Sequence, residues 1–336
     1  MIKKIRIKNF KCYGPNGADF NLSKVNFIFG DNSSGKSTFL QFLEMVGAMY
    51  DHVGKYNRGD FDGKTFKHGG GAVEALLRVV SDVDGGDERV WKFGLSASRK
   101  EYMMVDEMGS LIKKEDLDRV LSVANGADHI VHKEANRESS AAQRDSRVGA
   151  FSAIDTLAKL EDTADARSYL NDIFDRLKIP YSCVDQSGVI APNTIHDKDF
   201  DIDLPLHDVG TGIEGLFKLA FTLKDWEGGI LALEEPETNV NEKQLANLTA
   251  VLIDEAKRAT GQMIVECHSE LMFLELRNLL AHKRITPDAI SISVVQKGKM
   301  GSIVSHIPVD EFGNILKPWP GGLFPERVNI VDAYYD

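Results

Sequence analysis

At 336 residues the chain can bury a sizeable core, and a length prior of about 150 residues per domain leaves room for more than one lobe. A formal net charge of -11 excludes a surface that holds nucleic acid or anionic lipid everywhere, so any such contact has to be local. Three scattered cysteines, Cys12, Cys183 and Cys267, exclude a disulfide framework and a zinc knuckle; with no apolar run near the ~18 residues of a membrane span, a cytoplasmic protein without membrane contact is expected.

The alternation in Met1-Ile2-Lys3-Lys4-Ile5-Arg6-Ile7 predicts a strand from Ile2 to Lys8 and lacks the apolar region of a signal peptide. Lys3, Lys4, Arg6, Lys8 and Lys11 are first of all the exposed face of that strand, though such a row could also touch a DNA backbone. A short strand around Ala18 to Leu22 precedes the apolar run Val25 to Phe29. That run enters Gly30-Asp31-Asn32-Ser33-Ser34-Gly35-Lys36-Ser37-Thr38, and Phe39-Leu40-Gln41-Phe42-Leu43 follows in helical pattern. This is a phosphate-binding loop between a strand and a helix. Its glycines let backbone N–H groups turn inward around phosphates at the positive end of the helix. Lys36 can reach the β- and γ-phosphates, and the Ser37 hydroxyl is placed to ligate Mg²⁺. ATP and Mg²⁺ are the expected cofactors.

From Ala72 to Val105 short stretches rich in Val, Trp, Phe and Leu, broken by Asp84-Gly85-Gly86-Asp87, predict an antiparallel β lobe. Asp128 to Arg147 is almost entirely polar. His129 and His132 sit three apart there with no further ligands at metal spacing, which fits a solvated loop. Phe151, Ile154, Leu157, Leu160, Leu170, Ile173, Phe174 and Leu177 then recur at helical spacing until Pro180, predicting a helical insertion whose apolar stripe packs on its own domain.

Asp208-Val209-Gly210-Thr211-Gly212-Ile213-Glu214-Gly215 stands before an apolar helix, Leu216 to Leu223. This turn is either a second phosphate-binding helix start, completing a partner subunit's nucleotide site, or a start that needs glycine for close packing. Ile230-Leu231-Ala232-Leu233 reads as a parallel strand covered on both faces, with Glu234 and Glu235 at its carboxyl end, where open α/β sheets place ligands. Consecutive side chains diverge, so Glu234 is assigned to the Mg²⁺ shell and Glu235 to the attacking water. A helix from about Glu242 to Ala259 leads to the buried strand Met263-Ile264-Val265. His268 beyond it emerges at the same edge and can donate to the γ-phosphate, while Cys267 is expected to be buried and inert. The alternation of strands and helices predicts a doubly wound α/β core without internal repeats.

Ile5-Arg6-Ile7-Lys8-Asn9-Phe10-Lys11, the loop at Gly30 to Thr38, Val209-Gly210-Thr211-Gly212, Leu233-Glu234-Glu235-Pro236-Glu237 and Glu266-Cys267-His268-Ser269-Glu270 together resemble the ABC-type ATPases of the OLD-like group, relatives of RecF and SMC heads. The tail, with Ile307-Pro308-Val309-Asp310-Glu311-Phe312-Gly313 and Trp319-Pro320-Gly321-Gly322-Leu323-Phe324, is similar to a small C-terminal domain attached to some of them. The resemblance implies an ABC-type P-loop NTPase head with an antiparallel β lobe and a helical insertion. Its parts would be 1–125 and 181–285 for the two halves of the head, 126–180 for the insertion and 286–336 for the C-terminal domain. It further implies a head-to-head homodimer or higher homo-oligomer, with ATP at Lys36 sandwiched by Gly210, Thr211 and Gly212 of the partner and Glu235 and His268 completing hydrolysis. A separate effector is the implied partner, as in bacterial anti-phage systems, with no nuclease in this chain. The alternative is a DNA-repair or DNA-maintenance ATPase of RecF type that clamps DNA directly. Asn239, Asn241 and Cys267 depart from the histidines and threonine common in the group, and the role of His68 is open.

Overall fold

The computed structural model describes residues 1–51, 55–56, 73–80, 88–95, 102–112, 130–134, 164–183, 194–205 and 208–322. The turn at 84–87, His68, His129, the apolar positions from Phe151 to Leu160, and Leu323 and Phe324 lie outside them.

Two sheets sandwich the first helix. The N-terminal half supplies β1 (Ile2–Lys8), β2 (Ala18–Asn21), β3 (Val25–Gly30), α1 (Lys36–Asp51), β4 (Lys55–Tyr56), β5 (Glu74–Val80), β6 (Glu88–Leu95), β7 (Tyr102–Val105) and β8 (Ile130–Glu134). After α2 (Ala164–Leu177) a small antiparallel sheet forms from β9 (Tyr181–Ser182), β10 (Thr194–Asp197) and β11 (Ile202–Pro205). The remaining elements are α3 (Thr211–Asp225), β12 (Ile230–Glu234), α4 (Glu242–Arg258), β13 (Gln262–Glu266), α5 (Glu270–Ala281), β14 (Ile290–Gln296) and β15 (Ile303–His306). The expected β lobe is present, but it is continuous with the first two strands in one sheet of order β2-β1-β5-β6-β7-β4.

The central sheet runs β15-β14-β3-β13-β12-β8; β14, β3, β13, β12 and β8 are parallel, and β15 closes one edge antiparallel. Its strands are buried on both faces, as the apolar runs required. Val25, Phe27, Phe29, Leu231, Leu233, Met263 and Val265 pack with α2, α3, α4 and α5, whereas Ile28, Ile230, Ala232 and Ile264 pack with β1, β2 and α1. The two-residue period of the strands thus splits the interior into two cores, one on each side of the sheet.

Two placements differ from the sequence reading. Ile130–Glu134, inside the stretch expected to be a polar loop, pairs in parallel with β12 at the sheet edge and takes His132 into a strand. An edge strand is paired on one side only, so it can be polar. Ile290–Gln296, expected in a C-terminal unit from 286, lies beside β3 in the sheet that carries the phosphate loop. Trp319 packs edge-on against Phe29 of β3 and Phe273 of α5, with ring centroids 5.6 and 5.0 Å apart.

The described half of the predicted apolar stripe, Leu170, Ile173, Phe174 and Leu177 of α2, packs into the core shared with the central sheet, α3 and α4. The polar side of α2 is fixed on Glu255 of α4, which accepts hydrogen bonds of 2.7 Å each from Tyr169, Arg176 and Arg258. Burial pushes the Glu255 carboxyl up, but these three donors outweigh it and hold it below its ordinary range. Glu255→Ala would take one charged acceptor from the Tyr169 phenol and from two guanidinium groups, leaving Arg176 on Asp172 and Asp254 and Arg258 on the carbonyls of Leu223 and Trp226. It should destabilise the protein by about 3 kcal/mol, read as a lower urea midpoint with an unchanged slope.

Candidate functional site

The phosphate loop starts where β3 ends. Gly30 has φ +146°, and a Cβ there would lie 2.1 Å from the Val295 carbonyl oxygen of β14. Ser33 follows with φ 59°, so the chain curls before α1 begins at Lys36. Two distant residues brace the curl: the Tyr13 hydroxyl donates to the Gly35 carbonyl at 2.6 Å, and the Ser302 hydroxyl donates to the Ser34 carbonyl at 2.5 Å. Asp31, Asn32 and Ser33 are exposed, Ser34, Gly35 and Lys36 are buried, and Ser37 and Thr38 are half-buried. Lys36 Nζ donates to the carbonyls of Gly30 and Asp31, both at 2.9 Å. Burial lowers its pKa, although Glu266, Glu235, Asp31 and Glu237 pull the other way. An ammonium resting on backbone carbonyls can transfer to phosphate oxygens with its charge retained, which is what a nucleotide site needs.

Glu234 ends β12 and is 6% exposed; on β13 its parallel neighbour in register is Glu266. Glu235 leaves strand geometry. Its φ of 46° puts a non-glycine residue in the left-handed region, held by its N–H on the Glu266 carbonyl at 3.0 Å and by Thr238 N–H on its own carbonyl at 3.0 Å. Such a conformation is costly and is found where surrounding structure enforces it, often at functional sites. The turn points the Glu235 carboxylate at His268, with Oε1 3.3 Å from Nε2, while Thr238 Oγ1 donates to Oε2 at 3.2 Å.

His268 is positioned by its neighbours. Its N–H donates to Glu237 at 2.6 Å, and Ser269 caps α5 by accepting from Met272 N–H. Burial, and next the Lys36 ammonium, hold the imidazole below its usual pKa against the pull of Glu235, so it is neutral at pH 7. Cys267 is fully buried and its thiol is pushed well up by burial, as expected of an inert residue.

Glu266 is the residue whose place the sequence did not reveal. Ser37 Oγ donates to Glu266 Oε1 at 2.8 Å, Lys36 Nζ lies 3.9 Å away, and burial raises the carboxyl to about 7. Its role depends on a pairing between strands remote in sequence, and only the run of acids at neighbouring strand ends could have pointed to it. Ser34 Oγ, fully buried, has no hydrogen-bond partner among the described residues, nor has Glu266 Oε2. A buried Ser34 hydroxyl without a partner inside the loop, beside the Lys36 ammonium and the start of α1, fits a phosphorylated ligand.

Gly210 caps α3 with extended backbone, and a Cβ there would meet nothing within 4 Å. Gly212 differs: a Cβ would lie 2.2 Å from the carbonyl oxygen of Asn239, so close packing against the turn after Glu235 requires glycine at this position. Gly212 thus meets the packing alternative, while the helix start at Gly210 is open.

A comparison with curated proteins gives no match. Among solved structures, an SMC head bound to the C-winged helix domain of ScpA matches with TM-score 0.61 at 14% identity, over 92% of this chain and 98% of that one. The SMC head domain from Thermotoga maritima matches with TM-score 0.53 at 17% identity, over 92% and 99%. An SMC head domain with an extended coiled coil, bound to the C-terminal domain of ScpA and derived from Pyrococcus furiosus, matches with TM-score 0.57 at 13% identity, over 100% of both chains. These likenesses show the fold, an ABC-type ATPase head. No described helix is long and apolar enough to cross a membrane. A family model described as "AAA domain, putative AbiEii toxin, Type IV TA system" matches residues 25–274, a span that holds the phosphate loop, the paired glutamates and His268, and the chain belongs to this family of ATPases.

Proposed function

We propose that the chain is an OLD-like, ATP-hydrolysing subunit that closes as a head-to-head dimer on ATP and thereby controls a separate effector, in bacterial anti-phage defence. The observation that carries this reading is the convergence of Lys36, Ser37, Glu235 and His268 at the carboxyl edge of β3, β12 and β13, beside an α3 start left open at Gly210. The family's description, a putative toxin of a Type IV TA system, supports a protein partner for the chain. A protein partner is favoured over DNA because Lys4 and Arg6, in the N-terminal basic row, both pair with Asp19 at 3.4 Å.

In this reading the backbone of Gly30, Asn32, Ser33, Ser34 and Gly35 cradles the phosphates and Lys36 holds their terminal oxygens; Ser37 and Glu234 hold Mg²⁺, with Thr38 completing the loop. Mg²⁺ supplies neutralisation of the charge spreading over the phosphoryl oxygens. Glu235 orients water and takes its proton. Neutral His268 donates to the γ-phosphate as charge develops, a bond that strengthens in the transition state. The open helix start at Gly210, Thr211 and Gly212 meets the partner's phosphates.

A site built from two subunits predicts complementation. Lys36→Ala removes the phosphate ligand, and Gly210→Arg places a long side chain in open space at the α3 start, so each protein alone should be nearly inactive. An equal mixture forms heterodimers with one intact site, and turnover should return to about a quarter of wild type for independent sites in a two-fold dimer. A mixture no more active than its components sinks the shared site.

A further inference from the structure

Beside the phosphate loop, one carboxylate oxygen each from Glu235 and Glu266 and one ring nitrogen of His268 lie within 4.8 Å of one another. Acidic residues gather at many strand ends without an ion, so proximity alone does not make a site. Here Glu266 is 1% exposed and its Oε2 is buried with no hydrogen-bond partner among the described residues. Ser37 occupies only Oε1, and the two Lys36 hydrogen bonds go to the carbonyls of Gly30 and Asp31. Glu266 therefore keeps a buried carboxylate oxygen without a protein partner, in a residue that offers a ligand atom to the same cluster as Glu235 and His268.

The geometry points to a divalent transition-metal site formed by Glu235, Glu266 and His268 that fills without nucleotide. Ligand atoms about 2.1 Å from a common tetrahedral ion are about 3.4 Å apart. The Glu235 to His268 separation of 3.3 Å already meets this, and the Glu266 ligand atom lies within 4.8 Å of both. Two carboxylates and a neutral imidazole suit Mn²⁺ or Zn²⁺ better than Mg²⁺, which favours oxygen ligands throughout and gives up its waters reluctantly. The site is distinct from the nucleotide-linked Mg²⁺ at Ser37 and Glu234, and its existence does not depend on hydrolysis. Its consequence does rest on the proposed roles: an ion here takes the side chains meant for the attacking water and the γ-phosphate, so it holds the ATPase silent until displaced.

Mn²⁺ is the probe. Titrated into the nucleotide-free full chain and followed by the loss of the free-ion electron paramagnetic resonance signal, it should bind at one site per chain. The bound ion should show nitrogen modulation from an imidazole, and a tenfold excess of Mg²⁺ should leave it in place. Glu266→Gln and His268→Asn should each weaken binding at least tenfold, His268→Asn should also remove the nitrogen modulation, and thermal melting confirms that both variants are folded. Absence of binding, displacement by the Mg²⁺ excess, or equal affinity in wild type and both folded variants would overturn the site. None of these readouts requires turnover, so failure here leaves the hydrolytic reading standing, and loss of the hydrolytic reading leaves the ion site standing.

Discussion

Glu235→Gln is expected to retain ATP, lose at least a hundredfold in turnover and accumulate as a dimer when ATP and Mg²⁺ are present. The substitution is nearly isosteric, and the amide oxygen can keep the 3.2 Å hydrogen bond from Thr238 Oγ1, so the left-handed turn at this residue has no reason to relax. What disappears is the proton acceptor of the proposed mechanism. General-base assistance contributes roughly 10²–10⁴ in rate, about 3–5 kcal/mol of barrier. Removing it separates the ATP-bound state from its hydrolysis, and if ATP bridges two subunits that state is the closed dimer. Light scattering together with retained labelled ATP reads both parts. A variant that turns over at the wild-type rate would remove Glu235 from its role, whereas a monomer carrying bound ATP would spare that role and defeat the two-subunit site.

The parts of this site that were legible in the sequence are those whose chemistry needs adjacent residues. A phosphate loop is a continuous segment because successive N–H groups must wrap one anion, so Gly30 to Thr38 could be read with its strand and helix. Glu234 and Glu235 were visible for a similar reason, at the end of an apolar run that admits only a buried strand. Glu266 was not, because its role arises from register: β12 and β13 place it beside Glu234, and β3 leads through the loop to Ser37 above it. The braces were hidden too. Tyr13 on Gly35 and Ser302 on Ser34 join positions 22 and 268 residues apart. Likewise Gln262 clamps the N–H and carbonyl of Ile2 at 2.7 and 2.8 Å, tying the first strand to the central sheet across 260 residues. The same limit explains β8 and β14, since alternation tells that a segment is a strand and says nothing of its neighbour.

The position of β14 makes Gly30→Ala the most disruptive small substitution in the loop. At φ +146° an alanine is in territory that glycine alone occupies readily, a cost of about 1–3 kcal/mol before any contact is counted. Its Cβ would then stand 2.1 Å from the carbonyl oxygen of Val295 and 3.0 Å from Ser34 Oγ. The first of these is backbone and cannot swing away. β14 is paired with β3 from Ile290 opposite Val25 to Val295 opposite Gly30, so shifting that carbonyl means peeling one strand from the other. The alternative is rotation of Gly30 itself, which turns its carbonyl off Lys36 and reorients the amides that follow. Either way the cradle opens, and a loss of about 3–5 kcal/mol in stability is expected together with ATP affinity weakened at least a hundredfold. Gly94→Ala is the control, since its Cβ would meet nothing within 4 Å in β6, and it should shift stability by less than about 1 kcal/mol. Urea midpoints and nucleotide titrations of the two variants decide the matter: wild-type values for both would show that β14 does not wall the loop, and a folded Gly30→Ala protein that binds ATP normally would mean the phosphates do not lie along this turn.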